Sequence, residues 1–129
     1  MVLVDSNIWS EAFRKKGKAS DSEIGLRQLI AEGEVIMIGA IRQEVLSGIR
    51  IKAQYERTKN ALRAFPSQRL DETMYELAAS FFNHCRSKGI QGSHTDFLIC
   101  ACAVTWKVPI FTKDKDFERF AKHLPIELA

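Results

Sequence analysis

The chain has 129 residues, of which 46% are hydrophobic and 27% charged, enough for one core, so we expect a single domain over residues 1–129. The net charge of +3 permits a polyanionic partner but does not require one. No apolar stretch reaches the roughly 20 residues that cross a bilayer, and the three cysteines lack the spacing of a zinc site or a disulfide framework. The apolar opening ends at Asp5, too early for a signal peptide, so we expect a cytoplasmic protein with no membrane contact.

Short apolar runs alternate with longer helical patterns in the first half of the chain. Val2–Val4 and residues 35–38 predict buried strands, because both runs are continuously apolar. Apolar residues at helical spacing predict a helix from Ser20 to Ala31. The other elements expected here are helices at about 7–14, 41–49 and 53–64 and a loop at 15–18.

The second half continues the alternation. Asp71 is expected to cap a helix that runs to about Lys88, and Ser93 opens a strongly apolar helix. The remaining elements expected are a weak strand at 69–70, a strand at 109–112, a short helix at about 116–123 and a last edge strand at 125–128. Strands that alternate with helices predict an α/β fold, with a parallel sheet covered by helices on both faces.

Four acidic residues fall where predicted strands end or where the next helices begin. Asp5 follows the first strand directly, and Asp114 follows the strand at 109–112 by two residues. Glu44 and Asp96 lie in the first turns of predicted helices. Because the carboxyl ends of parallel strands meet at one edge of an open sheet, we expect these four side chains to converge there.

Carboxylates that converge in one pocket repel each other and resist ionisation unless a cation joins them. Mg²⁺ prefers oxygen ligands and keeps several of its waters. Such a site can hold a scissile phosphate and activate water, and with two ions it can also stabilise the leaving oxygen. The pattern therefore indicates metal-dependent hydrolysis of a phosphodiester.

Each acid also has a purely structural interpretation. Asp5 and Asp114 could cap helices, and Glu44 could favour a helix N-terminus. Ser93 and Asp96 have the spacing of a capping box. Asp96 argues most strongly for a shared site, because the helix after it is almost wholly apolar and a carboxylate at its head needs a partner.

Four segments in this order resemble the motifs of PIN-domain ribonucleases over almost the whole chain. In length and local sequence the chain resembles the VapC-type toxins of prokaryotic toxin–antitoxin pairs. The four segments are Met1–Trp9, Glu44–Ile49, Thr95–Ala101 and Thr112–Phe117.

The resemblance implies a PIN-like parallel sheet of about five strands in the order 3-2-1-4-5, flanked by helices. It implies cleavage of RNA with Mg²⁺ or Mn²⁺, a homodimer, and a small antitoxin whose tail covers the site. Ser6 and Thr112 would support the acids by hydrogen bonds, while residues 39–41 lack the hydroxyl that many relatives place before Glu44. The residues that would be catalytic and hold metal are Asp5, Glu44, Asp96 and Asp114, with Asp116 an open alternative to Asp114.

Three hypotheses remain open from the sequence. The first is an endoribonuclease toxin, and the second is a PIN nuclease that acts in RNA processing or on DNA without an antitoxin. A small neighbouring reading frame would favour the first. The third is a non-catalytic RNA-binding scaffold, which would be expected to lack one of the acids.

Overall fold

A computed structural model describes residues 1–14 and 17–129, so residues 15 and 16, the first half of the loop expected at 15–18, lie outside the described residues. The chain forms an α/β fold in which helices flank a parallel sheet. The elements are, in order, β1 (Val2–Val4), α1 (Ser6–Arg14), α2 (Asp21–Ala31), β2 (Val35–Ile38), α3 (Gly39–Ser47), α4 (Lys52–Leu62), β3 (Ser67–Gln68), α5 (Glu72–Ser87), α6 (His94–Trp106), β4 (Ile110–Phe111) and α7 (Asp116–Phe120).

The four described strands pair in the order β3-β2-β1-β4, and every pairing is parallel. The order agrees with the expected one, but the expected fifth strand is reduced to one parallel bridge between Ile110 and Leu128. Ile110 still exchanges backbone hydrogen bonds with Glu127 and Ala129, so this segment occupies the fifth position. The ladder does not extend further because the Val108 N–H donates to the carbonyl of Ala103 in α6 instead of to this segment.

The edge strand β3 lies two residues before the position expected from the sequence. Met37 and Ile38 of β2 pair with Ser67 and Gln68, although both of the latter side chains are exposed. Backbone pairing rather than burial therefore defines this strand. The prediction placed it two residues late because it relied on the apolar side chain of Leu70.

The core lies against β1 and β2 and around α6. Leu3 and Val4 are fully buried, and the indole N–H of Trp9 donates to the carbonyl of Val4 at 3.2 Å. Helix α6 buries residues all round its axis and packs closely against α5. Because α6 is packed on all sides, it cannot rotate about its axis, and the position of its first turn is fixed. Asp96 lies in this first turn.

Within residues 1–14 and 17–129, no helix combines the length and the apolar character needed to cross a membrane.

Candidate metal centre

Asp5 lies at the carboxyl end of β1 and is 3% exposed. Its backbone N–H donates to the carbonyl of Phe111 at 2.9 Å, which ties the end of β1 to β4. One carboxylate oxygen, Oδ1, accepts the Ser6 backbone N–H at 2.7 Å, and Oδ2 accepts the Thr112 hydroxyl at 2.7 Å. The sheet and these donors therefore hold the carboxylate in one orientation.

The pKa of Asp5 is raised above its ordinary value, chiefly because the carboxyl is buried. The hydrogen bonds from Thr112 and Ser6 lower this pKa, whereas the negative charges of Glu44 and Asp96 raise it. Residues 39 and 91 positions away in the sequence thus act on the same carboxyl group, as the sheet-edge prediction requires.

Glu44 is exposed on α3 and reaches the site through one hydroxyl group. Ser6 Oγ donates a short hydrogen bond to Glu44 Oε1 and lies 3.5 Å from Asp5 Oδ1. Ser6 has a single hydroxyl hydrogen, so its main partner is Glu44 while its backbone N–H serves Asp5. One hydroxyl group on α1 therefore links Glu44 on α3 to the carboxyl end of β1.

Asp96 has a structural role and also faces the other acids. Its backbone N–H donates to Ser93 Oγ and its Oδ2 accepts the Ser93 N–H, both at 3.0 Å, which completes the capping box. The pKa of Asp96 is raised above its ordinary value, mainly because the carboxyl group is buried. Hydrogen bonds from Ser93 lower this pKa, and the negative charges of Asp114 and Glu44 raise it. Capping uses Oδ2 and leaves Oδ1 without a hydrogen-bond partner among the described residues.

The structure distinguishes Asp114 from Asp116. Asp114 is close enough to Asp96 to raise its pKa, and its Oδ1 accepts the Asp116 backbone N–H at 2.9 Å. Asp116 instead forms an ion pair with Arg119 at 2.8 Å on the surface of α7. Of the two, Asp114 is the acid whose charge acts on Asp96.

The four acids share one region but do not form a closed coordination sphere. Among residues 1–14 and 17–129, no group of three or more His, Cys, Asp and Glu side chains is arranged to hold a metal ion directly. None of the four acids forms an ion pair with a described Lys, Arg or N-terminus. An all-oxygen set of this kind fits a hard cation that keeps several waters better than it fits zinc.

The cysteines are not candidates for ligands or nucleophiles. Cys85, Cys100 and Cys102 are free and buried. Burial, and then the charge of Asp96, raises the pKa of the Cys100 thiol, and burial raises that of Cys102 to about 12. All three remain protonated at neutral pH.

Asn7 is a site residue that the sequence analysis missed. Its Nδ2 lies 3.4 Å from Asp5 Oδ2 and 3.2 Å from Thr112 Oγ1, and its Oδ1 accepts the Lys113 N–H at 3.1 Å. Its position in the helical turn directly after Asp5 was the only available signal, since its partners are more than 100 residues away.

Comparison with known proteins bears on the family and the fold of the chain. The chain is 28% identical to VapC ribonuclease Mb1587 of Mycobacterium bovis, over 100% of this chain and 98% of the relative. The structure of FitAcB from Neisseria gonorrhoeae superposes with a TM-score of 0.78 at 18% identity, covering 99% of this chain and 96% of that one.

VapBC2 from Rickettsia felis, solved bound to a DNA fragment from its promoter, superposes with a TM-score of 0.76 at 18% identity over 100% of this chain and 98% of that one. At these identities the structures bear on the fold alone. The family model for the PIN domain matches residues 2–123. With this match covering nearly its whole length, the chain belongs to the PIN domain family.

Proposed function

We propose that the chain is a metal-dependent endoribonuclease and the toxin of a toxin–antitoxin pair. The observation that carries the proposal is the buried Asp5 carboxylate, which feels the charges of Glu44 and Asp96. No described cation neutralises these acids, so a bound metal would remove a cost that the fold otherwise carries. The name of the Mycobacterium bovis relative, a VapC ribonuclease, supports RNA as the substrate.

Asp5, Glu44, Asp96 and Asp114 are the residues proposed to hold Mg²⁺, with Mn²⁺ as an alternative ion. The cation, when bound, polarises a phosphate oxygen and lowers the pKa of water so that water can attack. Ser6 and Thr112 support the acids through the hydrogen bonds described above. Asp116 is assigned a surface ion pair rather than a ligand role.

The side chains of this chain then have separate tasks. Asp5 is held by the sheet and offers a carboxylate that does not need to reorient. Asp96 and Asp114 would add carboxylates to the same cation, whose charge would favour loss of a proton from the attacking water; the leaving oxygen takes up a proton as its bond to phosphorus breaks. Lys115, which directly follows Asp114 in the sequence, is exposed and forms no ion pair with a described residue. Its side chain is therefore available to an RNA phosphate.

An antitoxin segment has a suitable groove between α1 and α4. The groove is lined by the apolar side chains of Phe13 and Ile51 and by the cationic side chains of Arg14 and Arg57. Ile51 is 66% exposed. This surface suits an amphipathic helix with acidic residues. Because α1 begins at Ser6, a tail that continues along it would reach the acids and could place a basic side chain there.

The proposal also includes one domain over residues 1–129, a homodimer and a cytoplasmic location. Three free cysteines suit a reducing compartment. Light scattering of the purified chain tests the dimer, and co-purification with the product of the neighbouring gene tests the antitoxin. Harmless expression of the active chain alone would favour the alternative, a PIN nuclease in RNA processing.

Cleavage of total cellular RNA, with the cut sites mapped, tests the activity. The wild-type chain should cut RNA in Mg²⁺, leave DNA of the same sequence intact and stop in EDTA. Asp96→Asn should lower the rate by at least about 100-fold, more than the loss typical of a residue that only supports a ligand. Asp71→Asn is the matched control, because Asp71 also accepts a helix-capping N–H and lies outside the site.

Activity that survives EDTA, or an Asp96→Asn rate equal to that of the Asp71→Asn control, would contradict the proposal. Equal cleavage of RNA and DNA would move the substrate to the alternative hypothesis.

A further inference from the structure

The orientation of the Asn7 amide is fixed by a backbone group. The Lys113 N–H donates to Asn7 Oδ1 at 3.1 Å, and a backbone N–H can only donate. The amide oxygen must therefore face Lys113, and the Nδ2 group must face Asp5 and Thr112. The 3.2 Å contact between Asn7 Nδ2 and Thr112 Oγ1 is then a donation to the hydroxyl oxygen.

The Thr112 hydroxyl has one hydrogen and two lone pairs. Asn7 Nδ2 donates to this oxygen, and the Asp114 backbone N–H donates to it at 3.0 Å. With both lone pairs occupied, the hydroxyl hydrogen has one acceptor left, which is Asp5 Oδ2 at 2.7 Å.

We propose that Asn7 is a positioning residue that fixes the direction of the Thr112 hydroxyl and, through it, the orientation of the Asp5 carboxylate toward a divalent cation. The inference rests on the proposed function, because it concerns the same site. Without the amide donor, only the Asp114 N–H still donates to the hydroxyl oxygen, so the hydroxyl hydrogen is held less firmly toward Asp5 Oδ2, and Asp5 Oδ2 also loses the Nδ2 group 3.4 Å away.

Binding of Mn²⁺, measured by the electron paramagnetic resonance of the free ion, tests the inference without RNA. Asn7→Ala and Thr112→Val should each weaken Mn²⁺ binding by about 10–100-fold, as is typical for partners of metal ligands. Because both act through one hydroxyl, the double variant should bind within about 3-fold of the weaker single variant. Losses that multiply in the double variant would overturn the inference.

Asn60→Ala is the matched control, because Asn60 is exposed on α4 and away from the site. It should bind Mn²⁺ as the wild type does. Thermal melts in EDTA verify that each variant is folded.

Asn7→Asp provides a second test that does not depend on the alanine variant. It keeps the side-chain size and the acceptor for Lys113 but replaces the donor with an acceptor. By charge alone, an added carboxylate strengthens cation binding, whereas loss of the donor should weaken it. Binding of Mn²⁺ by Asn7→Asp as tight as that of the wild type, or tighter, would overturn the inference.

The two proposals fail in different ways. A wild-type chain that binds Mn²⁺ but cuts no RNA overturns the proposed function and leaves the role of Asn7 to the affinity measurements. An active wild type whose Asn7 variants bind and cut normally overturns only the role of Asn7.

Discussion

The acidic site has two halves that are built differently. The strand-end half consists of Asp5, Thr112 and Asp114, which follow β1 and β4 and are joined by hydrogen bonds. The helix half consists of Glu44 on α3 and Asp96 on α6, each bonded to one serine. Asp5 is buried, whereas Glu44 is exposed.

This difference separates what the fold arranges from what a ligand must complete. Adjacent parallel strands fix the strand-end half, because Asp5 and Thr112 directly follow two paired strands and the Asp5 N–H donates to the carbonyl of Phe111. The helix half depends on where two helices begin and on side chains that can still turn. We therefore expect the strand-end half to keep its geometry without metal and the helix half to adjust when a cation binds.

The largest expected effect is on activity. Asp5→Asn should lower the RNA-cleavage rate by at least about 100-fold, while Glu44→Gln should lower it by about 10-fold, because water can replace an exposed ligand more easily. Single-turnover rates in saturating Mg²⁺ measure both. Equal losses would erase the distinction between the halves.

Metal should stabilise the folded protein. At a concentration about 100 times its Kd, an ion that binds only the folded state adds about 2.7 kcal/mol to the free energy of unfolding. Thermal melts of the wild type with Mg²⁺ and with EDTA should show this gain, and Asp96→Asn should show much less of it. An equal gain in both proteins would place the ion elsewhere.

Two glycines near the start of α3 and α6 should respond oppositely to alanine. A Cβ at Gly92 would lie 2.6 Å from Phe120 Cζ and 3.0 Å from Phe97 Cε2, both in buried rings, so Gly92→Ala should cost about 1–3 kcal/mol. At Gly39 nothing lies within 4 Å, so Gly39→Ala should gain about 0.5–1 kcal/mol. Urea unfolding measures both, and matching signs would contradict the close packing before Asp96.

A smaller effect concerns charge at neutral pH in EDTA. Since the folded pKa of Asp96 is raised, its contribution to stability is present at pH below about 4 and is lost as the pH rises through the folded value. Asp96→Asn should therefore melt higher than wild type at pH 7, by about 3 °C for each kcal/mol of relief. The difference should vanish at low pH.

Asp71 is the control with the opposite sign. Hydrogen bonds from Thr73 and Met74 lower its pKa, so its charge favours the folded state above the unfolded pKa and that contribution is lost as the pH falls. Asp71→Asn should melt lower than wild type at pH 7. If Asp96→Asn also melts lower, the pKa of Asp96 is not raised in the folded protein.

Sequence patterns predicted the parts of the fold that burial determines. The strands at Val2–Val4 and Val35–Ile38 agree with the prediction residue for residue, because both are continuously apolar. Burial does not specify β3 or the bridge at Leu128, and there the prediction was shifted or too regular.

At the site, strand ends and helix starts predicted four acids, and the charges of Glu44 and Asp96 do act on Asp5; their binding of a metal stays a prediction. The choice between Asp114 and Asp116 could not be made, because it depends on the turn that bonds Asp114 to a backbone N–H and on the pairing of Asp116 with Arg119. The role of Asn7 was also out of reach, since its partners Thr112 and Lys113 meet it only in the folded chain.

Anomalous diffraction from crystals soaked in Mn²⁺ tests the central claim most directly, because it locates the ion without reference to any substrate. A peak should lie within about 2–2.5 Å of an Asp5 carboxylate oxygen and be shared, directly or through water, with Glu44, Asp96 and Asp114. Asp116 should stay paired with Arg119. A peak away from Asp5, or none at a concentration that supports cleavage, would contradict the account.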